Sequence, residues 1–367
     1  MQILLTTNEF CDSTTRLGLY LQLFLRSSLF SMVLAALSFA QLPGISISRA
    51  SPDSLPCHPP SSLLFPLGRR RLTLHSDRNQ SLKASSSSSI SSASPGTKAD
   101  AFELTYLEGN SWLWNTDGLN VLVDPILVGN LDFGVPWLYD AAKKVLTTFR
   151  LENLPEVNCL LITQSLDDHC HVKTLRPLSE KLPNLPVFST PNAESILRPL
   201  FRNVTYLEPG QTSEFEGRNG EKLNILATAG PILGPPWQRP ENGYIITSRR
   251  SNLKLYYEPH CVYNKSFLKE YKVDIIITPV IKQLLPSFTL VSGQEDAVHL
   301  AKLLQAKYIV PMKNGDLNSK GFLSSIIRSE GTVESFKELL KEQLPDAHVL
   351  EPQPGVPLEI SMSSSSL

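Results

Sequence analysis

The chain has 367 residues, 41% of them hydrophobic, with 34 Lys plus Arg against 35 Asp plus Glu. That length suits one large domain or two ordinary ones, and a net charge of -1 excludes a protein that grips nucleic acid through a broad basic field. Five cysteines without a CxxC spacing supply neither a disulfide framework nor a structural zinc knuckle.

The charge is unevenly spread. Residues 1–98 hold 9 basic and 4 acidic residues, a net of +5, whereas the other 269 hold 25 and 31, a net of -6. The leader is serine-rich, with the run Ser85–Ser89, and carries Arg69, Arg70 and Arg71 together. Such a stretch cannot bury enough apolar surface to offset chain entropy. Leu17 to Leu42 is apolar but broken by Arg26, short of the ~18 uninterrupted residues a membrane span needs. From Met32 to Lys98 there are 7 basic and only 2 acidic residues, which fits a transit peptide and hence a chloroplast location. Two other readings stand beside it: a secretory signal around MVLAALSFA at Met32, or an untargeted disordered tail. Met32 is also an alternative start.

The remaining residues read as one α/β domain spanning 99–358, with a disordered tail at 359–367. Strands are expected at Ala101–Leu107, Ser111–Trp114 and Asn120–Pro125, the last ending in an Asp-Pro turn. Asn158–Thr163 is a continuous apolar run, as in a strand buried on both faces. A helix follows at Thr174–Leu182, with Pro177 tolerated in its first turn. A strand at Leu185–Ser189, a helix at Asn192–Leu200 and a strand at Val204–Leu207 complete this half. A second meander comprises Lys222–Ala227, Gly243–Ser248 and Leu253–Tyr257. Then come a strand at Val273–Pro279, a helix at Ser292–Gln305, a strand at Tyr308–Pro311, a helix at Glu334–Gln343 and a strand at His348–Leu350. Two halves of one plan predict two mixed sheets packed face to face with helices outside.

Chemistry concentrates in Thr163–His171, TQSLDDHCH, directly after the buried strand. Two carboxylates and two imidazoles lie within five residues, Asp167 to His171. These groups hold zinc, iron or manganese. The plainer alternative is a solvated acidic turn ahead of the helix.

The segment resembles the metallo-β-lactamase fold superfamily, whose buried strand ends in (S/T)HxHxDH. The hairpin Tyr106–Trp114, the Asp-Pro turn in Val121–Pro125, Lys254–Tyr263 and Tyr308–Gly315 resemble its further landmarks, in order. The resemblance covers residues 101–358 and implies a four-layer αββα sandwich. It is nearest to small-substrate hydrolases such as ascorbate-6-phosphate lactonase, and within them to a plastid and cyanobacterial-type set with TQxLDDHxH.

The departures shape the functional expectation. Positions where the family binds its first metal are Gln164, Leu166 and Gly230 here, which implies no metal at that site. The second site keeps Asp168 and His169. Its bridging Asp and final His correspond to His260 and Lys313. The resemblance therefore implies at most one divalent metal, held by Asp168, His169 and His260 with His171 as a possible fourth ligand. The rival reading is metal-free. The Lys313 ammonium pairs with Asp168 in place of a cation, and Asp168, His169 and Lys313 act as the catalytic groups. Gln164, Trp237 and Asn314 are the candidate substrate contacts, Trp237 as a flat wall in the Gly- and Pro-rich loop Gly230–Tyr244. Asp124 reads as a turn-former, and Cys170 and Cys261 as ordinary thiols.

Three function classes result: a one-metal hydrolase of a small ester, lactone or phosphoester; a non-catalytic binding or regulatory protein on the same fold; or a metal-free enzyme. All imply a small molecule as partner, with no nucleic acid and no membrane span in the mature protein.

Overall fold

Phe102, Leu104 and Tyr106 alternate with partly exposed Ala101, Glu103 and Thr105, a period of two that makes β1 (Ala101–Tyr106) a strand with one buried face. The computed structural model describes residues 101–361 apart from 234–236, 287 and 314–316. The leader 1–98, Asn314 and residues 362–367 therefore lie outside the described residues.

After β1 come β2 (Trp112–Thr116) and β3 (Leu119–Val123), then a short β4 (Asp140–Ala142) and the buried β5 (Cys159–Ile162). Helix α1 (Val172–Lys181), β6 (Val187–Ser189), α2 (Glu194–Leu197) and β7 (Val204–Tyr206) complete the first half. The second half opens with a meander, β8 (Thr212–Glu216), β9 (Lys222–Ala229), β10 (Asn242–Ser248) and β11 (Lys254–Tyr257). It continues through α3 (Lys265–Leu268), β12 (Ile275–Pro279), β13 (Lys282–Leu285), β14 (Phe288–Val291) and α4 (Gln294–Leu304). The chain ends with β15 (Tyr308–Met312), β16 (Asn318–Lys320), α5 (Phe322–Ile326), β17 (Arg328–Glu330), α6 (Val333–Gln343), β18 (His348–Val349) and β19 (Pro357–Ser361).

The two seven-stranded sheets mirror each other. One runs β19-β1-β2-β3-β5-β6-β7 and the other β18-β15-β12-β11-β10-β9-β8, each antiparallel in one part and parallel in the other. Parallel strands alternate between two cores. Cys159 and Leu161 of β5 face the inter-sheet core, while Leu160 and Ile162 face Leu175 and Leu178 of α1. In β12, Ile275 and Ile277 point between the sheets, and Ile276 packs with Val298 and Ala301 of α4 and Phe336 of α6. Burial on both faces is what a continuous apolar run encodes, and the expected αββα layering results.

Several details differ from the sequence expectation. Helix α1 starts at Val172, because the His171 carbonyl already accepts from Thr174 and Leu175 N–H. Pro177 therefore sits in the second turn and removes one helical donor there. The helix expected over Asn192–Leu200 is a 3₁₀ turn, Pro191–Ala193, followed by the single turn of α2. The domain boundary drawn at 358 falls inside β19, which pairs with β1 through Ser361 against Ala101. Two small sheets, β14-β13-β17 and β16-β4, were not anticipated.

Candidate metal centre

The parallel pairing of β3 with β5 sets the residues that follow them, Asp124 and Thr163, side by side. Asp124 is fully buried and has φ of 40°, a left-handed conformation that Asp tolerates better than most residues. Its Oδ1 accepts the Thr163 N–H at 2.8 Å. Its Oδ2 accepts the Thr163 hydroxyl at 2.5 Å and faces His169 Nδ1 at 2.9 Å. A carboxylate on Nδ1 fixes the imidazole and leaves Nε2 for another partner.

That Nε2 lies 3.3 Å from Asp168 Oδ2 and 2.9 Å from Asn110 Nδ2. Asn110, from the β1–β2 hairpin, also donates to the Asp168 carbonyl at 3.0 Å. His260 enters from the loop after β11, its ring centre 5.3 Å from that of His169. The buried Glu258 carboxylate accepts the N–H groups of His260 and Val262 at 3.1 and 2.7 Å and so shapes this loop. His260 Nδ1 is 2.7 Å from the Gln164 side-chain amide. Turning that amide so that its oxygen accepts Nδ1–H gives a partner to Gln164 Oε1, which otherwise has none. Asp124 and Gln164 then play the same part for the two imidazoles.

Asp168, His169 and His260 offer donor atoms that all lie within 4.8 Å of one another. One carboxylate and two imidazoles suit zinc, iron(II) or manganese. Asp168 Oδ1 is buried without a hydrogen-bond partner, which is what an oxygen reserved for a cation looks like. The residues present therefore fit a single divalent metal.

The electrostatics follow from burial and close charges. Burial works against a proton on His169, but the carboxylates of Asp168 and Asp124 outweigh it and raise its pKa to about 10. His260 is pushed down to about 3, by burial and then by the charge of His169. Burial raises Glu258 to about 8 and Asp167 to about 6. Without a metal, then, the His169 proton supplies the positive charge between the two aspartates. Burial likewise pushes up the Cys170 and Cys261 thiols, which makes them poor nucleophiles.

The structure thus brings Asp168, His169 and His260 together and sets the other candidates elsewhere. His171 is buried as the residue before α1, with Nδ1 2.8 Å from the Thr174 hydroxyl, and is outside the cluster. The Lys313 carbonyl accepts from Tyr106 Oη at 3.2 Å, and the Lys313 charge is felt at Glu334 on α6. Among the described residues no ion pair joins Lys313 to Asp168, whose partner is His169. Gln164 holds His260 instead of lining the cavity, and Trp237 is 85% exposed and off the cavity wall. Of the first-site positions, Leu166 lines the cavity, and a side chain at Gly230 would meet the Glu241 carbonyl oxygen at 3.1 Å. Asp124 and Asn110 contact this cluster, and the sequence reading did not include them among the site residues. The only signals were an Asp-Pro turn and a Gly-Asn-Ser hairpin.

Asp168 and His260 form part of the wall of a cavity of about 510 Å³, within the range of small-molecule sites. Residues of the two small sheets, among them Gln283, Thr289, Ser319 and Ser329, line it as well.

The profile of a family described as a β-lactamase superfamily domain matches residues 103–313. Igni18, a metallo-hydrolase from the archaeon Ignicoccus hospitalis, shares 18% identity and superposes with a TM-score of 0.51, covering 72% of this chain and all of its own. An isothiocyanate hydrolase from Delia radicum gut bacteria shares 16% identity with a TM-score of 0.50, covering 71% of this chain and all of its own. At such identities the likeness is one of fold. No curated protein matches the sequence.

Proposed function

The chain belongs to the β-lactamase superfamily domain family, and from that premise we propose that it is a hydrolase working with one divalent metal on a small ester, lactone or phosphoester. The convergence of Asp168, His169 and His260 carries the reading. A cation there would supply Lewis acidity, polarising a substrate oxygen and lowering the pKa of a water. The chain's own residues do the rest. Asp124 and Gln164 orient the two imidazoles, Asn110 braces the Asp168 backbone, and the apolar walls exclude bulk water. Ester hydrolysis joins the oxygen of water to the carbonyl carbon and breaks the bond to the ester oxygen, which leaves with a proton. Asp168, facing the cavity, is the carboxylate placed to pass that proton.

The ring of His169, held between the Asp124 and Asp168 carboxylates, favours a second, metal-free reading, in which its proton offsets part of their charge. Elemental analysis of protein purified without chelator separates the two. The first reading expects about one metal per chain, lost in both His169→Ala and His260→Ala, as three protein donors require. It also expects turnover of esters, lactones or phosphoesters that stops on metal removal. Metal-free protein with full turnover would sink it.

A further inference from the structure

We infer that the cavity takes an uncharged substrate carrying an apolar chain or ring, and that it rejects phosphorylated molecules. This rests on the reading of the site as a hydrolase and narrows its substrate to carboxylic esters and lactones. Much of the wall is hydrocarbon, including Leu131, Phe133, Leu166, Leu233, Leu290 and Leu317. The polar groups among the described lining residues are chiefly neutral, such as Gln283, Ser319 and Ser329. The charged or basic side chains there are Asp168 and His260, with no Lys or Arg.

The fold accounts for that absence. Gln283 and Leu285 of β13 and Ile327 and Ser329 at β17 line the cavity. Lys282, just before Gln283, and Arg328, between Ile327 and Ser329, are offset by one residue from these positions and so belong to the opposite strand face. A phosphate dianion would face Asp168 with no Lys or Arg side chain among the described wall residues. Even with a divalent cation on Asp168, His169 and His260, part of its charge is matched by Asp168, and no second cation stands ready. Burying an unpaired anion is strongly unfavourable, whereas an apolar chain meets hydrocarbon. Ile232 and Val262, both on the wall, are 49% and 37% exposed and give the mouth an apolar edge.

The test is calorimetric titration of the full-length protein, both as purified and metal-free, with octanamide, octyl phosphate and acetamide. Octanamide is expected to bind at least about tenfold more tightly than either of the others. The variant Gln283→Lys is expected to strengthen octyl phosphate binding about tenfold relative to octanamide. Octyl phosphate binding as tightly as octanamide, octanamide binding no better than acetamide, or no gain in Gln283→Lys overturns the inference. Amide binding needs neither metal nor turnover. A protein that binds octanamide but cleaves no ester loses the hydrolase reading alone, and one that cleaves esters but prefers octyl phosphate loses only this inference.

Discussion

His169 is contacted at both ring nitrogens, by Asp124 at Nδ1 and by Asp168 and Asn110 at Nε2. A carboxylate behind a ligating imidazole typically contributes about 10- to 100-fold in metal affinity. Asp124→Asn keeps an acceptor for the Thr163 N–H but removes the anionic partner of Nδ1. Metal affinity, measured by competition with a chelator, is expected to fall by about that factor while the folded structure persists. Unchanged affinity would reduce Asp124 to a turn residue. That was how it read in the sequence, since Asp before Pro is a turn signal and its pairing with Thr163 spans 39 positions. Asp168 and His169 were named through the resemblance of TQSLDDHCH to the family motif, since residue type and position alone left a solvated acidic turn as the alternative. His171 shows the limit. It has the same chemistry two residues on, but the start of α1 turns it into a helix-entry residue.

At the level of elements, long apolar strands were legible and short rim strands were not. All three residues of β16 and of β17 are exposed, so neither carries an apolar period for the sequence to display. Yet these strands help wall the cavity, so part of that wall was the least readable stretch of the sequence. The loop after β4 is a comparable case. Buried Glu108 accepts the N–H groups of Lys144, Val145 and Leu146 at 2.8, 3.1 and 2.7 Å, while Lys143 Nζ donates to the Leu107 carbonyl at 2.8 Å. Burial lowers Lys143 from its ordinary 10.5 to about 8, although Glu108 partly opposes this. The folded protein therefore holds this proton less tightly than the unfolded chain. Between pH 8 and 10.5 the unfolded state binds more protons, so stability rises with pH across that window. Urea midpoints of wild type against Lys143→Met should show the wild type gaining about 1 kcal/mol across it, once solvent screening is allowed for. A difference independent of pH would place the Lys143 charge in solvent.

For the molecule as a whole, the mirrored sheets matter because each contributes to the candidate ligand cluster. Asp168 and His169 follow β5 in one sheet, and His260 follows β11 in the other. The sheets already share the core between them, and the centre adds a polar link at one end of it. The sequence suggested this plan through its repeated order of meander and βα units, and the resemblance already set His260 of the second half beside Asp168 and His169 of the first. A metal that binds only the folded state stabilises it by about 2.7 kcal/mol when free metal is 100-fold above its dissociation constant. For a domain of this size that raises the melting midpoint by about 5 °C or more. Zinc added to metal-free protein is expected to give that rise, and His260→Ala to abolish it, because the first half alone then offers only Asp168 and His169. Trp237→Ala, on an exposed residue away from the cavity, serves as the control and should keep the full rise. A rise that survives in His260→Ala would mean that the cation is held from one sheet and that the two halves are joined by their apolar core alone.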